Sequence, residues 1–294
     1  MPFFKAVLFD WVGTLIVPKW GPTRTGHRGA SWIRHSLRQL GRDSSEAEIQ
    51  RISAALSAAG ELPHVVQGWA GADLSAAAHR DSYDRWIDAA GADSALGDQM
   101  YTALSDAVDN AFASDVEPTL AALKAARLKV AIISDIHVDI RPAFVERGLD
   151  AYIDDFVLSF EHGVAKPDPA IFRVALSRLG VQPEEALMVG DRPSHDGAAV
   201  EAGIPTLLVP PLTKATRNDC TSHSRPAAFA PTDSGLQPRH ALDAPRHVAL
   251  SQVRKHLRSS PHRPLPEALT LLRLEAGPYG SEVSVQASRT GCRA

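Results

Sequence analysis

The sequence predicts an α/β protein, a doubly wound parallel sheet carrying an inserted all-helical cap domain. Three observations carry that expectation. Short apolar runs end abruptly in polar residues, capped helices separate the later runs, and between the first run and the second the apolar residues recur only at helical spacing.

Ala6-Val7-Leu8-Phe9 stops at Asp10, Val130-Ala131-Ile132-Ile133 at Ser134, and Leu187-Met188-Val189 at Gly190-Asp191. Buried parallel strands read this way, with their chemistry displayed at the carboxyl ends. A further strand, 206–209, bears no such residue. Asp168 caps a helix that begins at Pro169, runs through Phe172, Ala175, Leu176 and Leu179, and stops at Gly180. Another helix spans 196–202 and ends at Gly203. Strand, helix and strand in this order imply right-handed crossovers.

Residues 18–112 differ. Their apolar positions form helical sets: Ile33, Leu37 and Leu40; Ile49, Ile52 and Leu56; Tyr83, Trp86 and Ile87; Leu96, Met100 and Leu104. Four of the five tryptophans lie here, Trp11 being the fifth. Set directly after the first strand, such an insertion sits over the sheet's carboxyl edge, as a lid would. The expected division is a core of 1–17 with 113–212, a helical cap of 18–112 and a tail of 213–294.

A chain of 294 residues, 44% hydrophobic and 22% charged, can bury a sizeable core. No apolar run approaches a membrane span and the first residues lack a secretory pattern, so a cytoplasmic protein without a membrane partner is expected. Cys220 and Cys292 stand far apart and suggest neither a zinc site nor a disulfide framework. The net charge of −3 divides unevenly: 19 Lys+Arg against 28 Asp+Glu over 1–212, and 12 against 6 over 213–294. Ser, Pro, Arg and His dominate the second part, which reads as largely disordered apart from two conceivable short helices near 248–258 and 265–275. A dispensable tail is the first reading, a basic segment for an acidic partner the second. No clear nucleic-acid site is read, and no P-loop, GxGxxG or HExxH is present.

Four segments carry candidate chemistry. Asp10-Trp11-Val12-Gly13-Thr14 projects a carboxylate from a strand end, and Gly13 lets the chain turn so that backbone N–H groups face an anion. Ser134 ends the second strand with a hydroxyl suited to an oxyanion. Lys166, in Gly163-Val164-Ala165-Lys166-Pro167-Asp168-Pro169, stands just before a helix start. Asp191 and Asp196, five residues apart after a strand and turn, offer oxygen donors for a hard cation. Taken singly, each has an ordinary explanation: an Asx-capped turn, a helix cap, a solvated lysine, two caps around a turn.

Together and in this order, these residues resemble the four motifs of the haloacid dehalogenase superfamily over 4–210. The segment 163–209, with Lys166-Pro167-Asp168-Pro169, Leu179-Gly180 and Gly190-Asp191, is similar to the family far beyond any short pattern. The resemblance implies a Rossmann-like core with a C1-type helical cap and a hydrolase whose nucleophile is Asp10, passing through an aspartyl-phosphate. It implies Mg2+ held by Asp10, the Val12 backbone carbonyl and Asp191, with Asp196 ligating directly or through water. Ser134 and Lys166 would bind the transferring group of a small phosphorylated metabolite.

The sequence departs from the family at Val12, where its phosphatases carry the aspartate that protonates the leaving oxygen. Asp135 and His195 stand where asparagine is frequent, and His195 is a candidate to take over acid/base duty. Members that lack the acid supply two competing readings, metal-free dehalogenation and Schiff-base cleavage of phosphonates from a cap lysine, and a reading from a different class is weak phospho-ligand binding without turnover. Retention of Asp191 and Asp196 favours a metal, and the only lysine in 18–112 is Lys19, at its very start. Trp20, Arg24, His27, Arg28, Trp32 and Trp69 are candidates to meet an anionic or ring-bearing substrate, although aromatic residues also serve packing.

The composition break near 212 predicts that a chain truncated there stays folded. Thermal denaturation of the truncated and full chains checks this, and loss of the cooperative transition on truncation would place the tail in the core.

Overall fold

The computed structural model describes residues 4–20 and 29–212. The tail with its two conceivable helices, both cysteines, and Arg24, His27 and Arg28 lie outside the described residues.

Seven strands occur among the described residues: β1 (Ala6–Phe9), β2 (Ile16–Val17), β3 (Ala111–Phe112), β4 (Lys129–Ser134), β5 (Asp155–Leu158), β6 (Ala186–Gly190) and β7 (Thr206–Leu208). Five of them form a parallel sheet in the order β5-β4-β1-β6-β7. From the central β1 the chain builds outward to β4 and β5, then returns to the other side for β6 and β7. The carboxyl ends of β1, β4 and β6 thus flank the point where the winding reverses, where open α/β sheets hold their ligands.

The strands are apolar on both sides because both faces are covered. Val7, Phe9, Val130 and Ile132 point to one side, against α6 (Val116–Ala125) and α7 (Arg141–Glu146). Ala6, Leu8, Ala131, Ile133 and Met188 point to the other, against Ile171, Phe172 and Ala175 of α9 (Pro169–Leu179). The predicted start and stop of α9 are found: the Asp168 carboxylate accepts a hydrogen bond from the Ala170 N–H at 2.8 Å, and Gly180 takes the left-handed conformation. The segment 196–202 forms a 3₁₀ helix rather than an α-helix. The edge strand β5, Asp155-Phe156-Val157-Leu158, is not among the predicted elements.

The all-helical segment comprises α1 (Ala30–Gln39), α2 (Glu46–Gly60), α3 (Pro63–Gly68), α4 (Ala76–Ala89) and α5 (Ser94–Ser105), with a 3₁₀ turn at Ala72–Leu74. It has a core of its own, in which Trp32, Ile33, Leu37, Ile49, Tyr83, Ile87 and Met100 are buried together. Ser45, Ser75 and Asp93 cap α2, α4 and α5 with side-chain oxygens. The insertion joins the sheet through the antiparallel pair of β2 and β3. At this neck Lys19 donates to Asp109 and its N–H to Asn110. Among the described residues, no helix is long and apolar enough to cross a membrane.

Phe144 of α7 is fully buried and meets the rings of Trp11, Phe112 and Phe156 at centroid distances of 5.1, 5.3 and 5.0 Å. It links the neck strand β3, the turn after β1 and the edge strand β5. Phe144→Ala is expected to destabilise the fold by about 3–5 kcal/mol, measured as a fall in the urea midpoint at unchanged slope.

Candidate active site

The register of the sheet brings the predicted residues together. Phe9 pairs with Ile132 on one side and Val189 on the other, so Asp10 emerges between Ser134, two residues past its neighbour, and Gly190-Asp191. After β1 the chain turns at once: the Leu15 and Ile16 N–H groups both donate to the Trp11 carbonyl, and Gly13 adopts φ +89°. A Cβ at Gly13 would stand 2.6 Å from Asp191 Oδ2, so only glycine lets the two loops approach this closely.

At the centre is the ammonium of Lys166, fully buried, 2.5 Å from Asp10 Oδ1 and 2.6 Å from Asp196 Oδ1. It also lies 3.4 Å from the Ile133 carbonyl, one residue before Ser134. The carboxylates of Asp10, Asp191 and Asp196 each offer an oxygen within 4.8 Å of the others. Asp191 Oδ1 is buried without a hydrogen-bond partner among the described residues. Asp196 has both oxygens engaged, Oδ2 accepting from the Arg192 N–H at 2.8 Å.

Three residues given no role from sequence complete the shell. Thr14 donates to Asp10 Oδ2 at 3.4 Å. Asp135 accepts from the Lys166 N–H at 2.8 Å through Oδ1 and from the Arg192 guanidinium at 2.9 Å through Oδ2. Arg192 thereby ties the loop after β6 to the loop after β4. Its place directly after Gly190-Asp191 was the only sequence signal. Val12, 37% exposed, stands at the crevice with no group to donate or accept through its side chain.

Other candidates lie elsewhere. Trp32 is buried in the insertion with its N–H on the Met100 carbonyl, Trp69 packs edge-on against Trp86, and Trp20 donates to the Ala103 carbonyl. His195, at the start of the 3₁₀ helix, holds Nδ1 2.9 Å from Ser194 Oγ.

Burial pushes the Asp10 carboxyl up to about 7, against the pull of Lys166 and with the added push of Asp196. Burial likewise raises Asp191, again reinforced by Asp196. Lys166 runs the other way: burial disfavours its charge, but Asp10, Asp196 and Asp135 outweigh that and hold it protonated above its ordinary range. Such a pocket carries more negative than positive charge in a poorly solvated place, the condition under which a cation is taken up.

The model of the haloacid dehalogenase-like hydrolase family matches residues 4–203. The chain belongs to that family and is a hydrolase. It is similar to a glyceraldehyde 3-phosphate phosphatase of Methanopyrus kandleri, 40% identical over 97 residues that make up 32% of this chain and 42% of that protein. A ribulose-1,5-bisphosphate 5-phosphatase of Halopiger xanaduensis is 33% identical over 151 residues, 51% of this chain and 59% of that one. The matched part thus spans less than two thirds of either relative. Among solved structures, a 2-haloacid dehalogenase of Pseudomonas syringae pv. tomato is 26% identical, with 74% of this chain and 91% of that chain covered at a TM-score of 0.48.

The raised Asp10 value has a definite consequence for stability. Unfolded, an aspartate titrates near about 4; folded, Asp10 holds its proton up to about 7. Across that window the folded state binds a proton that the unfolded chain has lost, so stability falls as pH rises. Asp10→Asn removes the titration. In chelator, wild type is expected to lose stability relative to Asp10→Asn between pH 4.5 and 7.5, read from urea midpoints, whereas a constant difference would mean an ordinary Asp10.

Proposed function

We propose that this hydrolase cleaves a small phosphorylated metabolite in a Mg2+-dependent reaction, with Asp10 as nucleophile and no carboxylic acid at position 12. The observation that carries the reading is the buried convergence of Asp10, Asp191 and Asp196 on Lys166, with one Asp191 oxygen lacking a hydrogen-bond partner. The phosphatases among its relatives support phosphoryl over carbon chemistry.

The donors are oxygens, as Mg2+ prefers. Asp10, Asp191 and the Val12 carbonyl would hold it. Asp196, both of whose oxygens already accept hydrogen bonds, would act through water. Bound there, the ion would neutralise charge on the transferring phosphoryl group.

The residues of the chain divide the work. Asp10 attacks phosphorus in line, forming an O–P bond while the bond to the leaving oxygen breaks and its electron pair departs with that oxygen. Lys166 and the Ser134 hydroxyl offset the charge on the equatorial oxygens. The leaving oxygen takes its proton from solvent, because Val12 has none to give. Water then attacks phosphorus, the bond to Asp10 breaks, and its electron pair returns to the carboxylate as orthophosphate leaves. The helical insertion, hinged at β2 and β3, would serve as the cap that limits water in the crevice.

Absence of a general acid costs about 10²–10⁴ in rate, roughly 3–5 kcal/mol of barrier, for poor leaving groups. Aryl and acyl phosphates should therefore turn over faster than alkyl phosphates. Val12→Asp places a carboxyl where the side chain is already partly solvated, so the replacement avoids the full cost of burying a charge. It is expected to raise kcat/KM for alkyl esters much more than for aryl esters. Equal response of the two ester classes would mean that the acid is not missing at Val12. Haloacid turnover that survives chelation would establish dehalogenation instead, and phospho-ligand binding without turnover of an activated ester would establish a binding module.

A further inference from the structure

A second cluster of ligand-type side chains sits where the insertion meets the sheet, apart from the three aspartates. Asp73 in the 3₁₀ turn, His79 in the first turns of α4 and His137 in the loop after β4 each offer a ligand atom within 4.8 Å of the other two. The histidines are 4% and 9% exposed. From this cluster we propose a second metal site, for a borderline-soft divalent ion of the Zn2+ type, that clamps the insertion to the loop that follows Ser134.

The cluster is held by specific contacts. Ser159, fully buried at the start of α8 (Ser159–His162), places Oγ 2.5 Å from the Asp73 carbonyl oxygen and 3.1 Å from that of Ile136, and accepts from the Ile136 N–H at 2.9 Å. One hydroxyl thus fixes the turn bearing Asp73 against the backbone that leads into His137. Each imidazole also has a hydroxyl at one ring nitrogen: Tyr101 Oη lies 3.3 Å from His79 Nδ1, and Ser105 Oγ lies 3.3 Å from His137 Nε2. Partners of this kind fix the tautomer and ring orientation of metal-ligating histidines. The nearby cation Arg80 is already matched by Asp84 and Asp98, so it does not cancel the Asp73 charge.

The donor set selects the class of ion. Two imidazoles and one carboxylate match zinc sites with three protein ligands and an open fourth position, whereas Mg2+ prefers all-oxygen shells. The rings stack face to face, with centroids 3.3 Å apart and planes within 4°. An imidazole binds a metal in its neutral form. Ligand atoms at 2.0–2.1 Å from a tetrahedral ion lie roughly 3.3 Å apart. Capture therefore requires the stacked rings to splay and the three groups to draw inward.

The test uses the full chain, stripped with chelator and returned to excess Mg2+ to satisfy the aspartates, then titrated with Co2+ or Zn2+. Because the chain has 12 histidines, the difference between proteins is read rather than the total. Wild type is expected to take up one more equivalent than His137→Gln or Asp73→Asn, and to show a visible Co2+ band of tetrahedral intensity that both variants lack. Its melting temperature should rise by at least about 5 °C at a hundredfold excess of Zn2+ over Kd. The wild-type Co2+ spectrum stands even if a variant fails to fold. No tetrahedral band in wild type, or equal uptake by wild type and a folded variant, would overturn the proposal and leave a hydrogen-bonded cluster.

Discussion

Three carboxylates share one poorly solvated crevice, and the Lys166 ammonium between Asp10 and Asp196 is the charge that lets them do so. Breaking such a buried pair typically costs about 3–5 kcal/mol, because the remaining charge is stranded. Much of the local structure can be traced to keeping it intact. The Lys166 backbone is fixed by Asp135, and its side chain also reaches the carbonyl that precedes Ser134. Asp196 is held from below at Gly190, where any Cβ would collide with its carboxylate, and from above by the Arg192 N–H. Gly13 in the turn after β1 and Gly190 at the end of β6 are thus the condition for close approach of the acids, and the lysine is the condition for their charge.

How much could be read beforehand follows from how local each signal is. β1, β4 and β6 are apolar on both faces and end in a polar residue, so their pattern survives in the sequence, as do the Asp168 cap and the Gly180 stop of α9. Four helices of the insertion, α1, α2, α4 and α5, declare themselves because one face of each packs into a separate core, to which the short α3 contributes no residue. The two-residue strands β2 and β3 are too short to show a period.

At the site, Asp10, Lys166, Asp191 and Asp196 announce themselves by position after a strand or before a helix. Asp135 and Arg192 do not, because their pairing spans 57 residues and depends on the sheet order. The cluster of Asp73, His79 and His137 is hidden for the same reason. Nothing in the sequence says that a turn in the insertion will lie beside the loop after β4, and it is the Ser159 hydroxyl, from a third segment, that brings them together.

One departure from the family pattern is balanced within the site. Asp135, where asparagine is frequent, adds a negative charge beside the crevice, and Arg192 meets it at 2.9 Å with a positive one. An asparagine at 135 would still accept a hydrogen bond but would leave the guanidinium's charge unmatched. With that pair neutral, the balance inside falls to Asp10, Asp191, Asp196 and Lys166, which at ordinary ionisation sum to two negative charges. A proton on Asp10, held up to about 7, supplies part of the deficit. On the proposed reading, a divalent cation would supply all of it, displacing that proton and freeing the Asp10 carboxylate to attack. Val12 does not enter this balance, so on the proposed reading the anionic side of the site is complete without a proton donor at position 12.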